Sequence, residues 1–279
     1  MINLTDMTVK RQLFQHESRV ISCKQITTDC YLHEYEAPEI ARSAKPGQFV
    51  KTRVTSEYAP LLPRPFSILD VDKERGTIFV LFKVVGRSTV LLAGKKDGDT
   101  VGLLGPLGNT FHTKPYGELF LIAGGIGIPP VYFLLKTMDF SMHNVRLFYG
   151  AASKEDLYLA DELQKMNVPL EFATEDGSFG KKGLITSIFE STLYEYKHKS
   201  NACILTCGPM PMLAEVQRIA CEYSIPAQLS VETIMACGTG ICQGCALPKK
   251  VEKGEVVEYC LACIDGPVFS ENELVLQNG

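Results

Sequence analysis

The stretch Glu118-Leu-Phe-Leu-Ile-Ala-Gly-Gly-Ile-Gly-Ile-Pro-Pro130 contains the pattern that decides the fold. After the first residue, positions 119–123 are all apolar, which is typical of a strand buried on both faces of a parallel sheet. Glycines and a proline pair follow, and an apolar helical run occupies residues 131–138. The stretch therefore predicts a strand, a tight glycine turn and a helix, which together make one βα unit.

This βα unit recurs downstream, each time as a strand-like run followed by a helix-like run. The pairs are residues 145–150 with 154–166, 170–174 with 184–196, and 202–207 with 210–223. Strands that alternate with helices predict a doubly wound parallel sheet of the α/β class. Such sheets bind ligands at the carboxyl ends of their strands.

The sequence before this region has a different rhythm, with short β-type runs separated by turn residues. The predicted strands are residues 19–23, 30–35, 48–54, 66–70, 77–85 and 100–104, and one short helix is predicted over 87–93. Six strands at this spacing predict an antiparallel six-stranded β-barrel, with a sandwich as the alternative.

From about residue 227 onward the predicted segments are short, and turn residues and cysteines are frequent. We therefore predict a multi-domain chain with three parts: a barrel over residues 17–112, an α/β domain over 113–225, and a small C-terminal module over 226–279.

The composition of the 279 residues narrows the classes of partner. A net charge of −4 provides no basic face, so we expect no nucleic-acid or anionic-membrane binding as a main role. The first fifteen residues lack a signal-peptide core, and glycines and prolines interrupt the longest uncharged apolar stretch, residues 119–135. We expect a cytoplasmic protein that is not inserted in a membrane.

Five of the ten cysteines lie within 27 residues near the C-terminus. The spacing Cys237-x4-Cys242-x2-Cys245 with a more distant fourth cysteine is the plant-type arrangement for a [2Fe–2S] cluster. The alternative is a zinc-stapled interaction module, although a tight triplet with one remote partner suits tetrahedral zinc less well. From spacing alone, either Cys260 or Cys263 could be the fourth ligand.

Two further motifs lie where the predicted sheet would bind a nucleotide. The glycine turn at Gly124, Gly125 and Gly127 follows a strand and opens a helix, where backbone N–H groups can receive a pyrophosphate. Cys207-Gly208-Pro209 ends the last strand of the repeated units. The alternatives are a plain tight turn and a small buried cysteine that precedes a helix.

The motif Arg64-Pro65-Phe66-Ser67 begins a β run in the predicted barrel. It offers a guanidinium for a phosphate and a hydroxyl beside an aromatic ring, which suits a flavin nucleotide. The alternative is a solvated arginine followed by a turn.

The order of motifs along the chain resembles the ferredoxin-NADP reductase superfamily. The motifs are Arg64-Pro-Phe-Ser67, Gly105-Pro-Leu-Gly-Asn109, the glycine turn, Thr174-Glu-Asp-Gly-Ser178 and Cys207-Gly-Pro209. The C-terminal segments Glu232-Thr-Ile-Met-Ala-Cys-Gly-Thr-Gly-Ile-Cys-Gln-Gly-Cys245 and Cys263-Ile-Asp-Gly-Pro-Val-Phe269 narrow the resemblance to iron–sulfur electron-transfer subunits of class 1B dihydroorotate dehydrogenases. It covers about residues 17–272.

The resemblance implies three cofactor sites. It places FAD on the Arg-Pro-Phe-Ser motif and on a second segment, in all Arg64, Pro65, Phe66, Ser67, Phe82, Lys83, Gly86, Ser88 and Thr89. It places NAD(H) across Gly124, Gly125, Gly127, Cys207, Gly208 and Pro209. It makes Cys263 the last ligand of the [2Fe–2S] cluster, beside Cys237, Cys242 and Cys245. The gap between Cys245 and Cys263 is slightly longer than the family pattern leads us to expect, so Cys260 remains the alternative ligand.

The resemblance also implies a relay without an acid–base residue of its own. Electrons would pass from the FMN of a separate dihydroorotate dehydrogenase catalytic subunit through the cluster and FAD to NAD⁺, in pyrimidine (UMP) biosynthesis. We expect a heterotetramer of two copies of each subunit. The alternative is a related reductase subunit that serves ferredoxin or a sulfur compound. NAD is favoured over NADP because Ala152, Glu155 and Asp156 occupy the second βα turn, although Lys154 lies among them.

Overall fold

The computed structural model describes residues 12–55, 57–196, 201–251 and 258–276. Within these ranges no helix is long and apolar enough to cross a membrane. Residues 252–257 of the predicted C-terminal module lie outside the described residues, as do residues 1–11, 56, 197–200 and 277–279.

The first part is a closed antiparallel barrel, as predicted, with strand order β1-β2-β5-β4-β3-β6. The strands are β1 Phe14–Gln25, β2 Cys30–Glu36, β3 Phe49–Arg53, β4 Arg64–Asp72, β5 Thr77–Lys83 and β6 Thr100–Leu107, and the helices are α1 Pro38–Ser43 and α2 Arg87–Ala93. Closure lets the alternate side chains of each strand fill one apolar interior. Phe133, from the next part of the chain, packs into this barrel cluster and joins the two parts.

The second part is a seven-stranded sheet in the order β10-β9-β8-β7-β11-β12-β15. Its strands are β7 Glu118–Gly124, β8 Asn144–Ala151, β9 Leu170–Thr174, β10 Lys181–Lys182, β11 Ala202–Cys207 and β12 Ala227–Ser230, with β15 Val268–Ser270 at the edge. The helices are α3 Ile128–Thr137, α4 Ala160–Gln164, α5 Ile185–Glu195 and α6 Met210–Tyr223. All neighbours pair in parallel except β12 and β15, which are antiparallel.

The predicted helix over residues 154–166 is shorter in the structure. A 3₁₀ turn over Lys154–Asp156 precedes α4, and Leu159 between them has a left-handed backbone with φ of 60°. Leu157 and Tyr158 are buried. A continuous helix cannot accommodate the left-handed residue, so the segment divides at this point.

The C-terminal module is continuous with the sheet rather than separate from it. A two-stranded ribbon is formed by β13 Ala246–Pro248, which directly follows Cys245, and β14 Tyr259–Leu261, which contains Cys260. However, β12 and β15 belong to the seven-stranded sheet although both fall within the predicted range 226–279. The sheet thus contains two more parallel strands, β10 and β12, than the sequence pattern indicated, and the chain returns as β15 to cover the edge of β12.

Asn109, at the end of the Gly-Pro-Leu-Gly-Asn motif, joins the barrel to this returning segment. Its side chain donates hydrogen bonds to the carbonyl oxygens of Asp265 and Val268 at 2.8 and 2.7 Å, and accepts one from the Val268 N–H. Its own N–H donates to Gly266 O at 2.7 Å. One residue therefore connects segments more than 150 positions apart.

Candidate functional site

A cavity of about 520 Å³ lies between the barrel and the carboxyl edge of the sheet. Every residue that the resemblance assigned to FAD lines this cavity: Arg64, Pro65, Phe66, Ser67, Phe82, Lys83, Gly86, Ser88 and Thr89. Strands β4 and β5 and the start of α2 supply them. The two barrel segments, residues 64–67 and 82–89, thus line one concave surface.

The turn before α2 has the polar groups that a phosphate needs. The Ser88 Oγ is buried and has no hydrogen-bond partner among the described residues, although it lies in the cavity wall. An added Cβ at Gly86 would meet nothing within 4 Å. A buried hydroxyl without a partner costs free energy, so an oxygen-rich ligand at this turn would relieve it. The cavity therefore fits a flavin diphosphate.

Thr89, the neighbour of Ser88, has a structural role instead. Its Oγ1 accepts hydrogen bonds from the N–H groups of Val85 and Gly86 at 2.9 and 3.0 Å and donates to Gly86 O at 2.8 Å. These bonds shape the turn that opens α2. Of the two adjacent hydroxyls, Ser88 is the one available to a ligand.

The opposite wall of the cavity was not predicted from the sequence. It includes Ile126 and Pro129 of the glycine turn and the segment from Ser230 to Met235. Burial raises the pKa of Glu232, a carboxyl group on this wall. A signal was present, since this segment directly precedes the first cluster cysteine in the motif that carried the resemblance.

Lys83 connects the cavity to the second βα turn. Its Nζ lies 3.0 Å from Asp156 Oδ1 and 3.2 Å from Asp29 Oδ2. The hydrogen bond to Asp156 is the main reason that the pKa of Lys83 is raised. Asp156, one of the acidic residues of the second βα turn on which the preference for NAD rests, is therefore already paired with the barrel lysine.

The two predicted nucleotide segments lie against each other at the carboxyl edge of the sheet. Cys207 pairs in register with Ala123, so the end of β11 is beside the glycine turn. Gly125 has a left-handed backbone with φ of +48°, and a Cβ there would meet nothing within 4 Å. Of the six predicted residues, Gly125 and Pro209 retain solvent exposure. A nucleotide can approach at these two positions.

The other glycines serve the packing between the two segments. A Cβ on Gly127 would lie 2.6 Å from the Cys207 carbonyl oxygen, and one on Gly208 would lie 3.1 Å from the Gly124 Cα. The approach of a pyrophosphate is therefore not the only reason for a glycine at position 127, because contact between the two backbones already requires Gly127 and Gly208. Cys207 itself is fully buried, and burial, followed by the Glu232 charge, raises the pKa of its thiol well above the ordinary value.

The four predicted cluster cysteines form two pairs. The Cys242 N–H donates to the Cys237 sulfur at 3.3 Å, and the Cys237 N–H donates to the Cys242 sulfur at 3.4 Å. The sulfurs of Cys245 and Cys263 lie 3.3 Å apart. Gly238 and Gly240 adopt φ of +78° and +82°, which allows the loop to turn back between Cys237 and Cys242.

Two sulfur pairs suit a centre with two metal ions. In the part of the chain that the structure describes, no three His, Cys, Asp or Glu side chains gather around a single point as one metal ion would need. A [2Fe–2S] cluster is held by four cysteine thiolates. The paired arrangement and the backbone N–H groups directed at the sulfurs fit such a cluster.

The thiols in the two pairs differ in acidity. Burial raises the pKa of Cys237, but the N–H groups of Cys242 and Thr239 outweigh it and lower the pKa to about 6. Burial, together with the neighbouring Cys245 sulfur, raises the pKa of Cys263 to about 12. Since metals bind thiolates, Cys237 is prepared for a metal while Cys263 must lose a proton to bind one.

Cys260, the contested neighbour, has a different environment. It lies in β14, opposite Leu247, and is buried. After burial itself, the groups that shift its pKa are Asp265 and Lys249, and no cluster cysteine is among them. The structure groups Cys263, and not Cys260, with the other three sulfurs.

Comparisons with known proteins agree with this arrangement. Residues 232–275 match the iron–sulfur cluster binding domain of dihydroorotate dehydrogenase B, and residues 121–218 match the oxidoreductase NAD-binding domain. The electron transfer subunit of dihydroorotate dehydrogenase B from Desulforamulus reducens is 34% identical over 260 residues, which are 93% of this chain and 97% of that protein. This chain belongs to that family of electron transfer subunits.

A second member of the family, from Bacillus caldolyticus, is 36% identical over 236 residues, or 83% of this chain and 87% of that one. Family membership confirms the resemblance seen in the sequence and overturns the alternative of a zinc-stapled interaction module, because the matched C-terminal domain binds an iron–sulfur cluster.

Solved structures support the same fold for the electron transfer subunit. A chain from a study of flavin-based electron bifurcation, in the NADH-dependent reduced ferredoxin-NADP oxidoreductase, is 29% identical with a TM-score of 0.82, covering 94% of this chain and 90% of its own. A ferredoxin NADP⁺ reductase from Neisseria gonorrhoeae with bound FAD and NADP has a TM-score of 0.64 at 19% identity, covering 75% of this chain and 91% of its own. The second likeness concerns the fold alone.

Proposed function

We propose that this chain carries electrons between NAD(H) and an FMN-containing dihydroorotate dehydrogenase catalytic subunit, in a cytoplasmic complex of two copies of each subunit. In the biosynthetic direction, dihydroorotate oxidation would end in reduction of NAD⁺ during UMP synthesis. One observation carries the proposal: Met235 lines the flavin cavity, and Cys237, two residues later, begins the cluster loop. A continuous short segment joins the two redox sites.

The residues that would hold each group follow from the geometry above. FAD would occupy the cavity and contact the nine predicted residues, with Ser88 and Gly86 at its diphosphate and the segment from Ser230 to Met235 as an added wall. NAD(H) would lie across the glycine turn and Cys207-Gly208-Pro209. The cluster would bind Cys237, Cys242, Cys245 and Cys263. When bound, FAD supplies hydride exchange with nicotinamide and the cluster supplies single-electron transfer.

The division of labour among the three parts is also a proposal. The barrel, residues 17–112, would provide most of the FAD site, residues 113–225 the NAD site, and residues 226–279 the cluster. Strands β12 and β15 of the third part also belong to the sheet of the second part, so this division is one of function and not of sheet membership.

The chain's own groups orient and shield rather than exchange protons. Phe66 and Phe82, with ring centroids 5.5 Å apart, give the cavity an apolar barrel wall. Ile126 and Pro129 bring the glycine turn to the same cavity, which allows a nicotinamide on that turn to face the flavin site. The apolar side chains at this point would limit the access of water to a flavin and a nicotinamide bound there.

The proposed function is tested by anaerobic purification followed by reconstitution. The purified chain should show flavin absorption overlaid on [2Fe–2S] bands, and addition of an FMN-containing catalytic subunit should give dihydroorotate-dependent reduction of NAD⁺. A colourless chain, or a coloured one that never couples dihydroorotate to NAD⁺, would contradict the proposal.

The 29% identical bifurcation protein supports a second candidate, a reductase that serves ferredoxin. The curated relatives described above, at 34% and 36% identity, favour the first candidate. Ferredoxin reduction by the isolated chain with NADPH or NADH, at a rate that exceeds coupling to dihydroorotate, would favour the second.

A further inference from the structure

Lys51 is a buried lysine at the junction of the barrel and the cluster loop. It lies in β3, and only 1% of its surface is exposed. Its Nζ donates one hydrogen bond to Met235 O at 3.1 Å and a second to Ala236 O. Lys51 is the one lysine that is buried in the described ranges of the chain.

The position of Lys51 relates it to both redox sites. In the barrel it pairs in register with Pro65 of the flavin motif, and Phe49, two residues before it on the same strand, lines the flavin cavity. Toward the C-terminus, a Cβ on Gly238 would lie 2.6 Å from the Lys51 Cδ. The side chain therefore extends from behind the flavin wall to the first turn of the cluster loop.

The ammonium group of Lys51 lies in surroundings where a negatively charged partner would stabilise it. A buried ammonium costs free energy unless it is paired, yet the two carbonyl oxygens use only two of its three N–H donors. Burial lowers the pKa of Lys51, and the sulfurs of Cys237, Cys242 and Cys263 oppose that change. The contacts of Lys51 with Met235, Ala236 and Gly238 bring its charge beside the loop that carries the cluster cysteines, where the lysine and the negatively charged thiolates would stabilise each other.

We propose that Lys51 is a positioning residue for electron transfer between flavin and cluster. Its two hydrogen bonds hold Met235 and Ala236, the segment that connects the flavin cavity to Cys237. Its positive charge stabilises the added negative charge of the reduced cluster and so raises the cluster's reduction potential. This inference rests on the proposed function, because it requires the chain to bind the cluster.

The test is a redox titration of the cluster in the purified full chain, monitored by the EPR signal of its reduced form. Lys51→Met removes the charge and both hydrogen bonds with little change in volume, while Lys51→Arg keeps the charge. Lys73→Met removes an exposed lysine in the turn between β4 and β5 and is the matched control. Iron and sulfide contents are measured for each protein beside the titration.

We expect Lys51→Met to move the cluster potential to a more negative value, with Lys51→Arg and Lys73→Met close to the unaltered chain. An unchanged potential in Lys51→Met with a full cluster would overturn the inference. If Lys51→Met and Lys51→Gln lose the cluster while Lys51→Arg retains it, the charge is needed to hold the loop and the inference stands. Loss of the cluster in Lys51→Met, Lys51→Gln and Lys51→Arg alike would show that the packing of the lysine side chain, and not its charge, holds the cluster, and would overturn the inference.

These outcomes are distinct from failure of the proposed function. If the unaltered chain contains no cluster, the proposed function fails before any variant is compared. If it contains the cluster and couples dihydroorotate to NAD⁺, yet Lys51→Met leaves the potential unchanged, only the assignment of Lys51 fails.

Discussion

At the scale of single residues, Cys260 and Cys263 lie three positions apart yet have different neighbours. The Cys263 sulfur lies 3.3 Å from that of Cys245, whereas Cys260 is paired with Leu247 in the ribbon of β13 and β14. We predict that Cys263→Ser loses the cluster, because one iron would lack a thiolate, and that Cys260→Ser retains it. Iron content and visible absorption after anaerobic purification measure the difference, and the reverse pattern would make Cys260 the ligand.

His33 gives the barrel a dependence on pH. It is fully buried, its Nδ1 lies 3.0 Å from the Tyr35 hydroxyl, and burial lowers its pKa from 6.5 to about 4. The unfolded chain therefore takes up a proton at a higher pH than the folded chain does. Stability is fully present above about pH 6.5 and is lost as the pH falls toward 4, in total by about 3 kcal/mol.

We predict that His33→Gln, which cannot take up this proton, removes that part of the pH dependence. Urea unfolding at pH 7 and pH 5 measures it: the unaltered chain should lose about 2 kcal/mol more between these pH values than the variant. Equal losses in the two proteins would show that His33 titrates normally in the folded chain.

The residue types in the flavin and cluster motifs were predictable, but the roles of neighbours were not. Sequence alone could not separate Ser88, with its unpartnered hydroxyl, from Thr89, which shapes the turn, because their difference lies in where each Oγ points. Lys51 carried no local signal either. Its burial and hydrogen bonds depend on a segment 184 positions away that it meets only in the folded chain.

At the scale of elements, the contact between the glycine turn and the end of β11 is closer than side chains allow. A Cβ at Gly127 would meet backbone atoms of Cys207 and Gly208 at 2.6 to 2.7 Å, and backbone cannot move aside as a flexible side chain can. We predict that Gly127→Ala destabilises the chain by about 1–3 kcal/mol and weakens NADH binding. Urea unfolding and an NADH titration measure these two effects.

The matched control for this change is Gly94→Ala, at the C-cap of α2. Its φ is −79°, and an added Cβ there would have no neighbour closer than 3.6 Å. This variant should leave both measurements unchanged. Full NADH affinity and stability in Gly127→Ala would mean that the two segments separate more readily than their contact indicates.

Most elements were predictable because their side chains show a clear period. The predicted ranges of β9, β11, α2 and α6 coincide with those in the structure. Where the structure differs from the predicted elements, the cause is either a backbone conformation within the segment or a contact with a segment far along the chain. The left-handed Leu159 divides the predicted helix over residues 154–166, and β12 lies between the parallel strand β11 and the antiparallel strand β15, which comes from about 40 residues later in the chain.

At the scale of the whole molecule, apolar side chains are exposed beside the cluster loop. Ile241, directly before Cys242, is 85% exposed, and Ile234, on the cavity segment, is 86% exposed. Cys242 is itself exposed. Exposed apolar groups around a redox centre indicate a surface for a protein partner, and electron transfer requires that the partner approach the cluster closely.

We predict that Ile241→Asp weakens binding of the catalytic subunit about 30-fold, which corresponds to about 2 kcal/mol, while the isolated chain keeps its flavin and cluster spectra. Titration of the catalytic subunit and size-exclusion chromatography measure the binding. Met142→Asp, an exposed change beside the amino-terminal end of β8, is the control and should bind normally. Unchanged affinity in Ile241→Asp would place the partner elsewhere.

The wall of the flavin cavity extends from Phe49 to Pro267, and thus combines residues made early and late in synthesis. Asn109 likewise finds its partners only in residues 265–268. A nascent chain that has emerged from the ribosome only as far as β11 has a complete set of barrel strands but one open side to its flavin site. The complete cavity can therefore form only after residue 267 has been synthesised. A message truncated shortly before the codon for Pro267 should yield a product that does not retain the cofactor.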